Sequence, residues 1–374
     1  MADTRTILVT GVSEYWGWHV ASRLVDRLRT GQPGLGSDSV FRVIGLDIDP
    51  PLEEIKGLDF IQADIRNPLM AELLSFEEVY AICDLAFLEH PRPTENSYDF
   101  NVMGTTKLFG ACAEAGVKKI VYKSGTMIYG ASSENPGFLT EESPLRGNKT
   151  YGVTRDLVEI ETFLSGFRRQ VPEMIQTILR FPSIIGPTAN TPMTRYLKQP
   201  WNPVLMGFDP QVQIIHEDDV IEAILYSVFQ DIPGVYNVAA DGVLPLSKLL
   251  ALVGKMRIPI FHPFAYWRNR WRKSGLGADD IFPYPPDYLR YSWVADLTQM
   301  HEQMGFLPHY TAEEALREFS SAQKLEKYMP EAVAMKYDED RLRDTLERRK
   351  RARLRKDALN FPAIDIPQEE NLDE

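Results

Sequence analysis

Residues 6–28, TILVTGVSEYWGWHVASRLVDRL, hold the reading that decides the fold. Thr6 to Thr10 is an unbroken β-branched and apolar run, the mark of a strand buried on both faces. Gly11 follows at once, and Val20, Leu24, Val25 and Leu28 then recur at helical spacing. The order is strand, tight turn, helix, as in the first crossover of a dinucleotide-binding sheet. A helix begun there aims its free N–H groups and the positive end of its dipole at the turn, where a pyrophosphate fits.

At 374 residues the chain is long enough for one large α/β domain and a smaller one. Its 44% hydrophobic and 25% charged residues are those of a soluble globular protein. A net charge of −12 argues against general nucleic-acid binding, because neutralising phosphates needs a basic surface. Cys83 and Cys112 each lie in an apolar run and read as reduced core residues of a cytoplasmic protein. No ligand spacing suits zinc, so no metal site is expected. The fold starts within a few residues of Met1, leaving no room for a signal peptide, and no apolar run reaches the ~18 residues of a membrane span.

Beyond a polar glycine-rich loop at 31–40, Phe41 to Leu46 reads as a second buried strand ending at Asp47. An acidic side chain there accepts hydrogen bonds from a ribose 2′-hydroxyl and repels a 2′-phosphate, which favours NAD over NADP. Further strands are read at 60–67, 79–87, 119–123, 177–187 and 234–239, with helices at 105–115, 156–167 and 244–252 among them. The chain ends differently. Residues 341–356 are dense in Lys and Arg, and 357–374 turn acidic, the pattern of a solvated charged extension or of a docking arm for an acidic partner or anionic lipid.

Several of these segments together resemble the extended short-chain dehydrogenase/reductase family, in its NAD-dependent epimerase/dehydratase branch. Thr10, Gly11 and Gly17 follow TGxxGxxG, with Glu14 where the family has glycine; Val79–Phe87 is similar to VxHLAA, and Asn101–Thr105 to NVxGT. Ser124–Gly130 is similar to SSxxVYG, but Gly125 stands where the family has its hydroxyl. Tyr151–Arg155 is similar to YxxxK, with arginine for lysine. Thr177–Pro187 resembles LRxxxVYGP and Val212–Val220 resembles xxIHVDDV, which gives His216 a structural role at the domain junction; Ser183 and Val212 stand where the family's sugar-nucleotide branch carries Asn and Arg, which argues against a nucleotide-sugar substrate. The resemblance runs from residue 4 to about 320.

It implies an α/β fold: a doubly wound parallel (Rossmann) sheet of about seven strands with a smaller C-terminal substrate lobe. Residues 1–186 would form the dinucleotide-binding domain, with 212–240 returning to it. Residues 187–211 and 241–320 would form the lobe, and 321–374 the charged extension. Carried over residue by residue, the cofactor set is Gly11, Ser13, Tyr15, Trp16 and Gly17 at the turn, and Asp47 at the ribose. Asp64 and Ile65 belong at the adenine, Leu85, Ala86 and Phe87 along the phosphates, Asn101 behind them, and Phe181 and Pro182 beyond.

The implied chemistry is proton abstraction by Tyr151 from a secondary alcohol as hydride passes to the nicotinamide. Arg155, four residues on, would share a helix face with the phenol, favour phenolate and hold the ribose. Ser124 or Thr126 would bond the substrate oxygen. The basic aromatic stretch 264–273, FAYWRNRWRK, suits a lid over a lipid-like alcohol or a peripheral membrane contact. Relatives suggest a homodimer. The loss of the motif hydroxyl and lysine gives a second expectation, an NAD-binding scaffold in a larger assembly.

Overall fold

The computed structural model describes residues 5–30, 41–51, 53–261, 263 and 285–328. The stretch 264–273 and the segment 341–356 lie outside them, so the membrane, lid and docking expectations attached to both are left there. Among the described residues, those up to Ser320 make a first compact unit, and those from Ser321 on belong to a second.

The first unit is built on seven parallel strands: β1 (Arg5–Thr10), β2 (Phe41–Asp47), β3 (Asp59–Gln62), β4 (Val79–Asp84), β5 (Lys119–Gly125), β6 (Ile175–Phe181) and, after six further elements, β11 (Gly234–Asn237). Their order is β11-β6-β5-β4-β1-β2-β3. The chain runs outward from β1 to β3, crosses back to β4 and runs outward the other way, so the order reverses between β1 and β4. A crevice opens at such a reversal, beyond the carboxyl ends of the strands.

Alternation along the strands sends side chains to two separate cores. Leu8, Ile82, Ile120 and Tyr122 join the apolar cluster that includes α4 (Gly104–Ala115) and α5 (Gly152–Gln170). Their neighbours Ile7, Val9, Ala81, Cys83 and Val121 join the cluster of α1 (Tyr15–Thr30) and α7 (Glu217–Phe229). Both faces are therefore covered, which is why the strands read as unbroken apolar runs. Both cysteines are buried and unpaired.

Two boundaries differ from the sequence reading in ways that matter below. β5 continues two residues past Lys123, with Ser124 opposite Arg180 and Gly125 opposite Phe181 in unshifted register, so no bulge turns either residue over. α4 is preceded by a π turn over Asp99–Met103, which carries Asn101. Between β6 and β11 lie β7 (Ser183–Ile185), α6 (Pro192–Lys198), β8 (Trp201–Leu205), β9 (Gln211–Val212) and β10 (Ile214–His216), followed by α7. The strands pair in small two-stranded sheets, β7 with β10, β9 with β12 (Leu244–Pro245), and β8 with β13 (Met256–Ile260). Among the described residues no helix is long and apolar enough to cross a membrane, and no acidic, histidine or cysteine cluster could hold a metal.

Candidate active site

The turn after β1 is held by backbone contact. Gly11 sits at φ 73°, and a Cβ there would stand 2.8 Å from the Leu85 carbonyl oxygen; a Cβ on Gly17 would stand 2.0 Å from the Gly11 oxygen. Only glycine permits both approaches, one for the left-handed turn and one for the helix against the strand. Thr10 Oγ1 donates to Asp84 Oδ1 at 2.8 Å and accepts from the Leu85 and Ala86 N–H groups at 3.0 and 3.1 Å, fixing the end of β4 to the end of β1. Ser13 donates its N–H and hydroxyl to Asp47 Oδ2 at 2.8 and 2.6 Å, which seats the carboxylate at the tip of β2 beside the turn. Glu14 is exposed. At an effective dielectric near 20, a carboxylate 4 Å from a phosphate charge would cost roughly 4 kcal/mol, but in water about 1 kcal/mol. The exposed side chain belongs nearer the second case.

A cavity of about 870 Å³ lies over this turn. Of the residues expected at the cofactor, Ser13, Tyr15, Trp16, Leu85, Ala86, Phe87, Phe181 and Pro182 line it, as do Tyr151 and Ser124. The far wall is made by the loop into α6, and Tyr15 ties the two walls together: its hydroxyl donates to Glu217 Oε2 at 2.9 Å and lies 2.7 Å from Thr188 Oγ1. Burial first, and then the Glu217 charge, push the Tyr15 phenol well above its usual pKa.

Other expected residues stand behind the cavity. Gly11 and Gly17 support the turn from below. Asp64 is held by Arg66, whose hydrogen bonds pull its carboxyl below the usual range against some desolvation, and Ile65 is buried under Gly104. Asn101 accepts from the Leu88 N–H at 2.8 Å and donates to the Leu88 oxygen at 3.0 Å and to Asp156 at 2.9 Å, clamping the segment that leaves β4. His216 caps α7, accepting from the Asp218 N–H at 3.2 Å, and stacks on Tyr310 with centroids 4.0 Å apart.

The geometry around Tyr151 departs from expectation. Tyr151 is 5% exposed and lines the cavity, but with φ −103° and ψ 119° it is the cap before α5 rather than part of the helix. Its carbonyl accepts the first helical bond, from the Arg155 N–H at 3.0 Å, but its own φ and ψ are extended, so the phenol is not held to the helix face of Arg155. Arg155 turns away from the cavity, bonding the Thr94 oxygen at 3.0 Å, pairing with the buried Asp156 at 2.6 Å and lying over the Tyr98 ring at 5.2 Å. Gly152 makes the capping position attainable: a Cβ there would meet the His90 oxygen at 2.4 Å.

Of the two expected hydroxyls, that of Ser124 is already committed and that of Thr126 lies off the cavity. Ser124 Oγ donates to Glu161 on the opposite face of the sheet, within a buried network in which Arg180 bonds Glu161 at 2.5 to 3.1 Å and Tyr129 Oη at 2.7 Å. Burial pushes Tyr129 up to about 12 against the opposing Arg180 charge. Thr126 is fully buried and lies off the cavity wall. The face between them is occupied by Gly125, which does line the cavity; a Cβ there would be 3.5 Å from the Phe181 oxygen, an ordinary contact.

With this geometry in place, the likeness to known proteins is specific. Residues 7–239 match the sequence pattern of the NAD dependent epimerase/dehydratase family. The chain belongs to that family. An uncharacterized protein of Mycobacterium tuberculosis is 30% identical over 323 residues, 84% of this chain and 83% of that one. UDP-glucose 4-epimerase 1 of Oryza sativa subsp. japonica is 32% identical over 173 residues, covering 41% and 45% of the two chains. Among solved structures, UDP-glucuronic acid 4-epimerase of Bacillus cereus in complex with UDP-glucuronic acid and NAD has a TM-score of 0.64 at 17% identity, over 85% of this chain and 99% of that one. A dTDP-glucose 4,6-dehydratase of Bacillus anthracis in complex with NAD gives 0.63 at 18%, over 87% and 98%. At these identities the likeness is one of fold.

For a member of the epimerase/dehydratase family, the residues present at the turn fit the dinucleotide. The glycines leave backbone bare, Glu14 is exposed at the cavity rim, and the open end of α1 stands at the cavity. Two residues of the wall were missed in the sequence. Asp84 is buried, and its desolvation pushes the carboxyl up to about 6 against the Thr10 hydrogen bond. Lys123 lines the cavity with its ammonium 5.0 Å from the Trp16 ring centroid. Alternation would have found it, since it stands two residues from Gly125 on the same face of β5.

Proposed function

We propose that the protein is an NAD-dependent enzyme of the epimerase/dehydratase class that acts on a secondary hydroxyl, with Tyr151 as general base. One observation carries the reading: Tyr151, buried at the start of α5, opens on the same cavity as the β1–α1 turn and Phe181. NAD, when bound, supplies the hydride acceptor. The first turn of α1 would hold its phosphates, and Asp47, seated by Ser13, its adenosine ribose. Tyr151 would take the hydroxyl proton, and the apolar wall of Phe87, Val153, Leu157 and Trp293 would keep water from the reacting carbon.

The substrate is best taken as a nucleotide-linked sugar, the class named for the rice and Bacillus proteins. The lipid-like alcohol rested on 264–273 and has no support among the described residues. A second reading, binding without turnover, draws on the placement of Ser124 and Arg155, whose hydrogen bonds lie away from the cavity. Turnover of nucleotide sugars by wild type and Tyr151→Phe separates the two. The enzyme reading expects a loss of about 10²- to 10⁴-fold in turnover with cofactor binding intact. Equal rates in the two proteins would contradict it.

A further inference from the structure

We propose that Lys123 is the pyrophosphate-binding cation of this cleft: its ammonium, poised over Trp16, bonds the phosphates of the dinucleotide against the first turn of α1. The inference rests on the cofactor reading above. The cavity wall carries the carboxylates Glu14, Glu53, Asp84 and Glu89 against two permanent cations, Lys123 and Arg195. Arg195 lies on the far wall and donates to Asn190 at 3.1 and 3.2 Å. Arg155, the cation that the sequence pattern assigns to the site, faces Thr94 and Asp156 instead. On the side of the cavity built by β1, β4 and β5, Lys123 is therefore the cation in place.

Its position is set by the strand. β5 keeps unshifted register through Gly125, so Val121, Lys123 and Gly125 share the α1 side while Ser124 faces Glu161. From there the side chain reaches Trp16, the second residue of α1, at 5.0 Å. A lysine held over an aromatic face at the positive end of a helix is oriented toward the same anion that the helix end attracts. Among the described residues its Nζ has no hydrogen-bond partner, unlike the buried Lys119, which donates to the Val228 and Gln230 oxygens at 3.0 and 2.9 Å. Burial pulls the Lys123 ammonium below the usual lysine pKa, with the exposed Glu89 opposing. That is the condition of a cation enclosed without its counter-ion. A phosphate would complete its hydrogen bonds and offset the charge that Glu14 adds at the rim.

The test uses the full-length protein and three probes: NADH by its own fluorescence, and ADP-ribose and adenosine by displacement of NADH. Lys123→Met should weaken NADH and ADP-ribose about 10- to 100-fold, the range for a hydrogen bond to a charged group, and leave adenosine within about twofold. Lys123→Arg should recover most of the loss, and the salt dependence of NADH binding should flatten in Lys123→Met. Lys123→Gln serves if the methionine variant fails to fold. Unchanged NADH binding overturns the proposal. So does an equal loss for adenosine, or a loss confined to NADH with ADP-ribose unaffected, which would put the ammonium elsewhere in the cleft. Failure of the wild-type protein to bind NADH and ADP-ribose at all is a different result, and removes the cofactor reading beneath it.

Discussion

The two halves of the cavity are made differently. On the β1–α1 side the site is backbone: two glycines, a helix end, and a carboxylate at the tip of β2 that locks the turn through Ser13. On the β5–α5 side the site is side chains, and there the family pattern has been rearranged. Tyr151 is kept at the wall, Ser124 and Arg155 are engaged elsewhere, and Lys123 faces in. A backbone-built half tolerates substitution at an exposed position such as Glu14. A side-chain-built half changes its chemistry with a single register or capping difference.

The largest effect expected from breaking this contrast lies on the first side. Asp84 is enclosed between the two strand ends with its carboxyl raised to about 6. The unfolded chain releases that proton near pH 4, so the cost of the charge is absent below pH 4, grows between 4 and 6, and is full above. Asp84→Asn, which can still accept from Thr10, should gain roughly 1 to 3 kcal/mol at pH 7 and nothing near pH 4. Denaturant midpoints at the two pH values check this, and an Asn variant destabilised at pH 7 would show that the carboxylate is needed in charged form.

A smaller effect is expected on the second side. Gly125→Ser fits without collision and places a hydroxyl in the cavity four residues before Tyr129, where the family pattern has one. One new hydrogen bond to the substrate oxygen should raise turnover by about tenfold, near 1.4 kcal/mol, with stability almost unchanged. No gain would mean that the rearranged half already positions its substrate by other groups.

What the sequence disclosed follows the same division. The strands were legible because burial on both faces leaves unbroken apolar runs such as Ile7–Val9 and Ile120–Tyr122, and the turn because Gly11 and Gly17 have no substitute. Arg155 was misplaced because its face depends on whether Tyr151 lies inside α5, which spacing does not reveal. The opposite directions of Ser124 and Gly125 were readable from strand alternation, and the same rule one step back gives Lys123. Asp84 carried no such signal, since its raised pKa comes from enclosure by distant segments.

The account stands on the cleft holding a nicotinamide dinucleotide, and fluorescence titration of the purified protein with NADH and NADPH tests it most directly. Saturable NADH binding is predicted, with NADPH weaker because its 2′-phosphate meets Asp47. Binding of neither would contradict it.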